Sequence, residues 1–102
     1  MRIFEISGVC GSTYSVASTD TAAGPAAAKL LDANDRRCKA LSVSVETNAI
    51  RYAIGTPTQA GLGHYAAAGS FLRVTGEANC AAFKWISAAN GVHATLQITP
   101  EY

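Results

Sequence analysis

Apolar and polar residues alternate along much of this chain with a period of two. Because successive side chains of a β-strand point to opposite faces of a sheet, this alternation predicts half-buried strands with one apolar and one polar face. Weaker signals of the same kind occur at residues 3–6 and 13–19. The clearest runs are, in chain order, 41–46, 50–54, 71–75, 82–86 and 92–99.

Short polar and glycine-containing breaks separate these strands. Glu46-Thr47-Asn48 is one of them, and Asn90-Gly91 is another, with the residue pair that supplies the two positive φ angles of a type I′ hairpin turn. Strands at a spacing of about 8–12 residues with such breaks are typical of a sandwich or a barrel. The sequence therefore predicts an all-β fold over residues 1–102: a single antiparallel β-sandwich domain of jelly-roll or immunoglobulin-like layout.

Residues 21–34 are ambiguous. Ala26 to Ala33 has the composition of a helix, and Pro25 suits the first position of one. We favour an extended conformation, because everything downstream has a strand pattern and another strand would fit the sandwich. Residues 32–37 then form a tight polar turn, since Asp and Asn side chains bond to the nearby backbone in turns.

Composition narrows the class of function. Charged residues make up 15% of the 102 residues and the net charge is +1, whereas about a quarter of an average soluble protein is charged. Nucleic acids and anionic membranes attract clustered Lys and Arg, so we expect neither as a partner. Glu5 interrupts the apolar run that a signal peptide requires, and this indicates synthesis in a cytoplasm.

The sequence contains none of the common catalytic or metal-binding motifs. The three cysteines form no Cys-x-x-Cys pair, and His64 and His93 stand alone, so we expect reduced thiols, no metal and no cofactor. There is no Gly-x-Ser-x-Gly elbow, no Gly-x-Gly-x-x-Gly loop and no histidine beside a carboxylate. We therefore expect that the protein is not an enzyme.

The most informative stretch is residues 52–72, which contain no Asp, Glu, Lys or Arg. A solvent-facing loop of this length normally carries charge, whereas an uncharged apolar surface suits a buried contact. A loop folded flat on its own sheet is the alternative. Residues 32–37 carry charges of both signs. They form either a solvated turn or a contact with an acidic patch on a partner protein. The predicted contact residues are Pro57, Leu62, His64, Tyr65, Arg36 and Arg37.

Several motifs resemble small β-sandwich proteins encoded among the structural genes of tailed bacteriophages. They span about residues 30–102 and are structural motifs, not catalytic ones. The chain departs from the pattern at Asn34-Asp35, where the family often has Asn-Pro, and this affects the expected turn geometry. The motifs are Leu31-Asp32-Ala33-Asn34-Asp35-Arg36-Arg37, Ile50-Arg51-Tyr52 with Gly55-Thr56-Pro57-Thr58, Ala67-Ala68-Gly69, Ala82-Phe83-Lys84-Trp85-Ile86-Ser87-Ala88 and the closing residues 94–102.

The resemblance implies a virion component made in the host cytoplasm. Its implied role is that of a capsid decoration (cement) or head–tail accessory protein, which binds the major capsid protein or another virion protein as a homo-oligomer, a dimer or a trimer. The alternative is a carbohydrate- or receptor-binding module of a phage tail. For that role Tyr65, which we expect in a loop, is the candidate exposed ring.

Overall fold

The computed structural model describes residues 10–32 and 34–102. Within them, seven strands, a six-residue α-helix and one turn of 3-10 helix are formed. The strand predicted at residues 3–6 lies outside the described residues. The elements are β1 (Tyr14–Ala17), the 3-10 helix (Ala27–Lys29), β2 (Ala40–Glu46), β3 (Ile50–Ile54), β4 (His64–Ala66), β5 (Phe71–Thr75), α1 (Glu77–Ala82), β6 (Phe83–Ser87) and β7 (Thr95–Glu101).

The strands form two antiparallel sheets, as predicted. The large sheet has the order β1-β7-β2-β5 and the small sheet has the order β4-β3-β6. Residues 19–23 extend the small sheet, because the backbones of Ala23 and Trp85 exchange two hydrogen bonds of 2.9 and 2.8 Å.

The strand pairs are nested along the chain, and this nesting defines the layout. The first strand pairs with the last (β1 with β7), residues 19–23 pair with β6, β2 pairs with β5, and β3 pairs with β4. Two sheets wrapped from such nested pairs make a jelly roll. An immunoglobulin-like sandwich pairs its first strand with its second instead. The structure thus selects the jelly roll from the two predicted layouts.

Inward side chains of both sheets form one core. Val43 of β2 lies opposite Ile98 of β7 in the register, and both are fully buried. From the small sheet, the rings of Phe83 and Trp85 pack with their centroids 5.6 Å apart. Full burial of side chains of this size stabilises the fold by about 1.5–3 kcal/mol each. The predicted alternation of β2 and β7 is confirmed.

Two short turns cross between the sheets, so neither of them joins two strands of the same sheet. β2 and β3 lie in different sheets, and so do β6 and β7. Asn90 and Gly91 do form a two-residue turn, closed by an antiparallel bridge between Ala89 and Val92, but this turn does not pair β6 with β7 as a hairpin would. Gly91 has a φ of 73° but Asn90 has no positive φ, whereas a type I′ turn needs both. In this layout a short arch carries the chain from one sheet to the other, so each strand turns its apolar face to the shared core.

Residues 21–34 do not form the predicted strand. In the described part of this segment, Ala23 pairs with Trp85, Ala27–Lys29 form the 3-10 turn, and Leu31 bridges Arg37. The polar turn that follows is present as predicted. The carboxylate of Asp32 accepts hydrogen bonds from the backbone N–H groups of Asn34 and Arg36 at 2.9 and 2.7 Å.

The α1 helix is an element that strand periodicity does not predict. It follows Gly76, whose φ is 98°, and it buries Cys80 completely. Asn79 Nδ2 donates to the carbonyl oxygen of Thr75 at 2.9 Å, and the Cys80 thiol lies 3.7 Å from that of Val74. The helix therefore covers the end of the β5 edge.

Candidate interaction surface at the open edges of the sandwich

Two sheet edges lie on the same side of the molecule. β4 ends the small sheet, β5 ends the large sheet, and residues 67–70 join them directly. The β6 edge is covered instead, since residues 19–23 pair with it. Because an edge strand presents unpaired backbone donors and acceptors, it can accept a strand of another chain. β1 is the other edge strand of the large sheet. We take the β4–β5 side as the candidate docking side because two edge strands lie next to each other there.

Large apolar side chains are exposed along this side. Their exposed fractions are 57% for Ile54, 63% for Leu62, 58% for Tyr65 and 50% for Phe71. We call these four residues the edge patch. Since residues 52–72 contain no charged side chain, the patch presents apolar surface that is not interrupted by charge along the chain.

A groove of about 360 Å³ opens beside the edge patch. Tyr52 and His64 line one wall, with ring centroids 5.4 Å apart and planes tilted by 38°. Arg73 lines the other wall, where both of its terminal nitrogens donate to the carboxylate of Glu101. Hydrogen bonding to Glu101 raises the pKa of Arg73 above its usual value. The groove thus has a cation on one wall that is already engaged by a carboxylate of this chain.

The loop of residues 55–63 is folded back onto its own sheet. Pro57 is fully buried, and Gln59 Nε2 donates to Asp20 Oδ1 at 2.9 Å. Gly63 has a φ of 115°, and a Cβ there would lie 2.9 Å from the carbonyl oxygen of Tyr52. Pro57 is therefore not available as a contact residue, contrary to the prediction. The loop folds flat at Pro57 and Gln59 and leaves the next part of the chain exposed.

Asp20 ties this loop to the rest of the molecule. Its Oδ1 accepts a hydrogen bond from the Gly91 N–H as well as from the Gln59 amide, each at 2.9 Å. These hydrogen bonds, the one from Gly91 foremost, hold the pKa of the Asp20 carboxyl below its usual value. The ionised carboxylate therefore joins three loops that are distant in the sequence.

Tyr65 lies in β4, and the prediction that it lies in a loop is wrong. A strand of three residues, His64–Ala66, is too short to show an alternating pattern. Tyr65 pairs with Arg51 of β3, whose guanidinium carbon lies 5.8 Å from the ring centroid. Arg51 Nη1 also donates to the carbonyl oxygen of Gly63 at 3.3 Å. The ring is thus held on the outer face of the small sheet by a cation.

The predicted contact residues do not form one surface. Leu62, His64 and Tyr65 are exposed together at the β4 edge. Arg36 and Arg37 are exposed too, but they belong to the 32–37 turn, where Arg36 Nε lies 2.6 Å from Asp32 Oδ2. Arg37 lines a groove beside α1 that includes no residue of β4, and Arg36 precedes it in the chain.

A serine–histidine pair is present that the sequence does not indicate. Ser87 Oγ lies 2.8 Å from His93 Nδ1 and 2.7 Å from Ser18 Oγ, which accepts the N–H of Ala94 at 2.8 Å. Both serines have an exposed fraction of 0%. Since the Ser87 hydroxyl is out of reach of solvent, we interpret the network as a structural link between β6 and the segments that flank β1 and β7.

Metal-ligand clusters and membrane-spanning helices are not found among residues 10–32 and 34–102. Among residues 10–32 and 34–102, no three His, Cys, Asp or Glu side chains come together as metal ligands. None of the helices in this part of the chain has the length and apolar character to span a membrane. Comparison of the chain with protein-family models, curated proteins and solved structures finds no match. The functional argument therefore rests on the sequence motifs and on the surface of the protein.

Proposed function

We propose that this protein is a structural protein of a tailed-phage virion, namely a capsid decoration protein whose edge patch binds the major capsid protein. The observation that carries the proposal is the exposure of four large apolar side chains, between 50% and 63%, beside two sheet edges. Tyr65 faces outward from the small sheet and Phe71 faces outward from the large sheet, so these side chains follow the edge of the sandwich and do not share one face. Large exposed apolar side chains grouped beside sheet edges mark a contact site for another macromolecule. In this role the protein is not an enzyme and needs no cofactor.

The composition of the surface favours a protein as the partner. The edge patch is free of charge, and Arg51 and Arg73 flank it in the sequence. Protein interfaces are depleted of Lys and Glu and enriched in aromatic residues and Arg, which matches this arrangement. The nearby strand edges add a second mode of contact, because a neighbouring chain can extend either sheet. Copies seated between capsid subunits would bury this surface and stabilise the head.

The jelly-roll layout is compatible with this role without deciding it. Jelly rolls occur in viral capsid domains and also in lectins. A fold alone does not determine a function, because one layout carries many unrelated sites. The assignment to phage particles therefore rests on the resemblance of residues 30–102 to phage structural proteins, and the mode of action rests on the edge patch.

Binding to capsids tests the proposal. Purified protein is added to expanded capsids that lack it, and we expect it to co-sediment with them and to raise their melting temperature. Leu62→Asp should weaken binding about 30-fold, since it removes roughly 2 kcal/mol of apolar burial. Val92→Asp is the matched control, because Val92 is 44% exposed in the β6–β7 turn, outside the edge patch.

The two variants give a clear decision. Retained binding by Val92→Asp with loss by Leu62→Asp supports the edge patch as the contact surface. If Leu62→Asp binds as tightly as the unaltered protein, the edge patch is not the contact. If the unaltered protein fails to bind the capsids at all, the decoration role is wrong.

A carbohydrate-binding module of a phage tail is the second candidate. Tyr65 favours it, because its ring is 58% exposed on the outer face of the small sheet and is held there by Arg51. A flat exposed ring of this kind can stack against a sugar face. Binding on a glycan array that is lost in Tyr65→Ala but kept in Tyr65→Phe would support this candidate. An array without binding would eliminate it.

A further inference from the structure

A second groove, distinct from the edge patch, lies between α1 and the segment that precedes β2. Its volume is about 620 Å³, and we call it the helix groove. Leu31, at its margin, is 44% exposed. This surface is separate from the edge patch, and at its base Cys38 belongs to the core and Leu30 packs against it. Its main lining residues are Leu30, Leu31, Arg37, Glu77, Ala78 and Ala81.

Opposite charges stand on the two walls of the helix groove. Arg37 comes from the 32–37 turn, and Glu77 comes from the first turn of α1. Both are exposed, and neither has an ion-pair partner among the residues that the structure describes. In contrast, the neighbouring Arg36 is paired with Asp32. Arg37 and Glu77 are therefore available to a partner that carries the complementary charges.

We propose that the helix groove binds a second copy of this chain in a two-fold symmetric dimer. A two-fold axis places Arg37 of each copy against Glu77 of its partner, so that one arrangement satisfies all four charges. Leu31, which is 44% exposed, is then available to pack against the partner copy. Opposite charges on the two walls are the feature that lets this surface pair with itself, as a symmetric dimer interface requires.

Area and charge together define the expected strength of this dimer. A stable interface buries about 800 Å² on each partner, which is roughly a seventh of the 5715 Å² surface of this chain. The contact must therefore extend beyond the groove to the exposed 32–37 turn and α1. Exposed ion pairs add little affinity each, so their main role is to set the orientation of the copies. The inference concerns a different surface from the edge patch and does not depend on the proposed function.

Charge reversal in two separate variants tests the dimer. In a dimer of the Arg37→Glu variant, two Glu–Glu contacts replace the two ion pairs. In a dimer of the Glu77→Arg variant, two Arg–Arg contacts replace them. Each variant alone should dimerise about tenfold more weakly than the unaltered chain. An equimolar mixture of the two should recover the lost affinity, because the mixed dimer again pairs opposite charges at both positions. Sedimentation velocity up to about 0.5 mM protein measures the association.

Control variants separate this effect from a general change in charge. Lys84→Glu and Glu46→Arg make the same charge changes on β6 and at the end of β2, outside the helix groove, and should leave dimerisation unchanged. Circular dichroism confirms that each variant is folded. A monomer at every concentration overturns the proposal. So does a dimer that the two reversals do not weaken, or one that mixing the variants does not restore.

Discussion

Gly63 is the residue on which the position of the 55–63 loop depends most directly. Its φ of 115° is strained for any residue with a Cβ, at a cost of about 1–3 kcal/mol. A Cβ at this position would lie 2.9 Å from the Tyr52 carbonyl oxygen and 3.0 Å from Pro57 Cβ. Forcing an atom into such contacts costs roughly another 1–3 kcal/mol. We therefore expect Gly63→Ala to lower the free energy of unfolding by about 3 kcal/mol.

Gly61→Ala is the matched control for this substitution. Gly61 lies in the same loop and also has a positive φ, 140°, but no atom lies within 4 Å of the position of its added Cβ. It should show the backbone strain alone, about 1–3 kcal/mol, and should therefore lose less stability than Gly63→Ala. Urea unfolding measures both variants. For a domain of this size, the loss in Gly63→Ala should also lower the melting temperature by more than about 10 °C. If the two variants lose equal stability, the loop does not pack on β3 as described.

Three further predictions concern ionisable and thiol groups. In the native protein only Cys10 should react rapidly with a disulfide reagent, because Cys38 and Cys80 are buried and burial raises the pKa of Cys80 to about 12. Rapid reaction of a second thiol would contradict this burial. The lowered pKa of Asp20 means that its carboxylate stabilises the fold above the unfolded value of 3.8 and that this contribution is lost as the pH falls through the folded value. Asp20→Asn should therefore flatten the stability–pH curve at acid pH, and an unchanged curve in urea titrations would refute the three-loop link. Glu101→Gln should lower the free energy of unfolding by about 1–3 kcal/mol, because Glu101 is only 2% exposed and its carboxylate accepts hydrogen bonds from both terminal nitrogens of Arg73. Glu46→Gln, at the exposed end of β2, should change the free energy of unfolding very little. Equal unfolding midpoints for these two variants would contradict the assignment.

Period-two alternation was a sound guide to the strands that have one face in the core. β2 shows it over residues 41–46 and β7 over residues 95–100, and both have inward side chains that are fully buried. Elements shorter than two periods gave no such signal. β4 has three residues and α1 has six, so neither length allows a pattern to repeat.

The sequence was a poorer guide to which strands pair with each other than to where each strand lies in the chain. The breaks after Glu46 and at Asn90-Gly91 are short enough for hairpins, yet both cross between sheets. Loop length limits how far apart two strand ends lie, but it does not determine whether the strands share a sheet. The jelly roll is set by pairings between distant segments, such as Tyr14 with Ile98, and local turn chemistry carries no information about those.

The candidate surface was predicted in part. The absence of charge over residues 52–72 drew attention to Leu62 and Tyr65; both are exposed, and their role as contact residues stays a prediction. The same argument failed for Pro57, because an uncharged loop can also be buried against its own sheet. The helix groove was not foreseen, since its walls come from the 32–37 turn and from α1, a helix that strand periodicity does not reveal.

Footprinting of the assembled particle tests the central claim most directly. Hydroxyl radicals label exposed Leu and Tyr side chains, so labelling of the free protein can be compared with that of the protein bound to capsids. We predict that Leu62 and Tyr65 lose most of their labelling on binding, while Val92 keeps its own. Unchanged labelling of Leu62 and Tyr65 in bound protein would contradict the account.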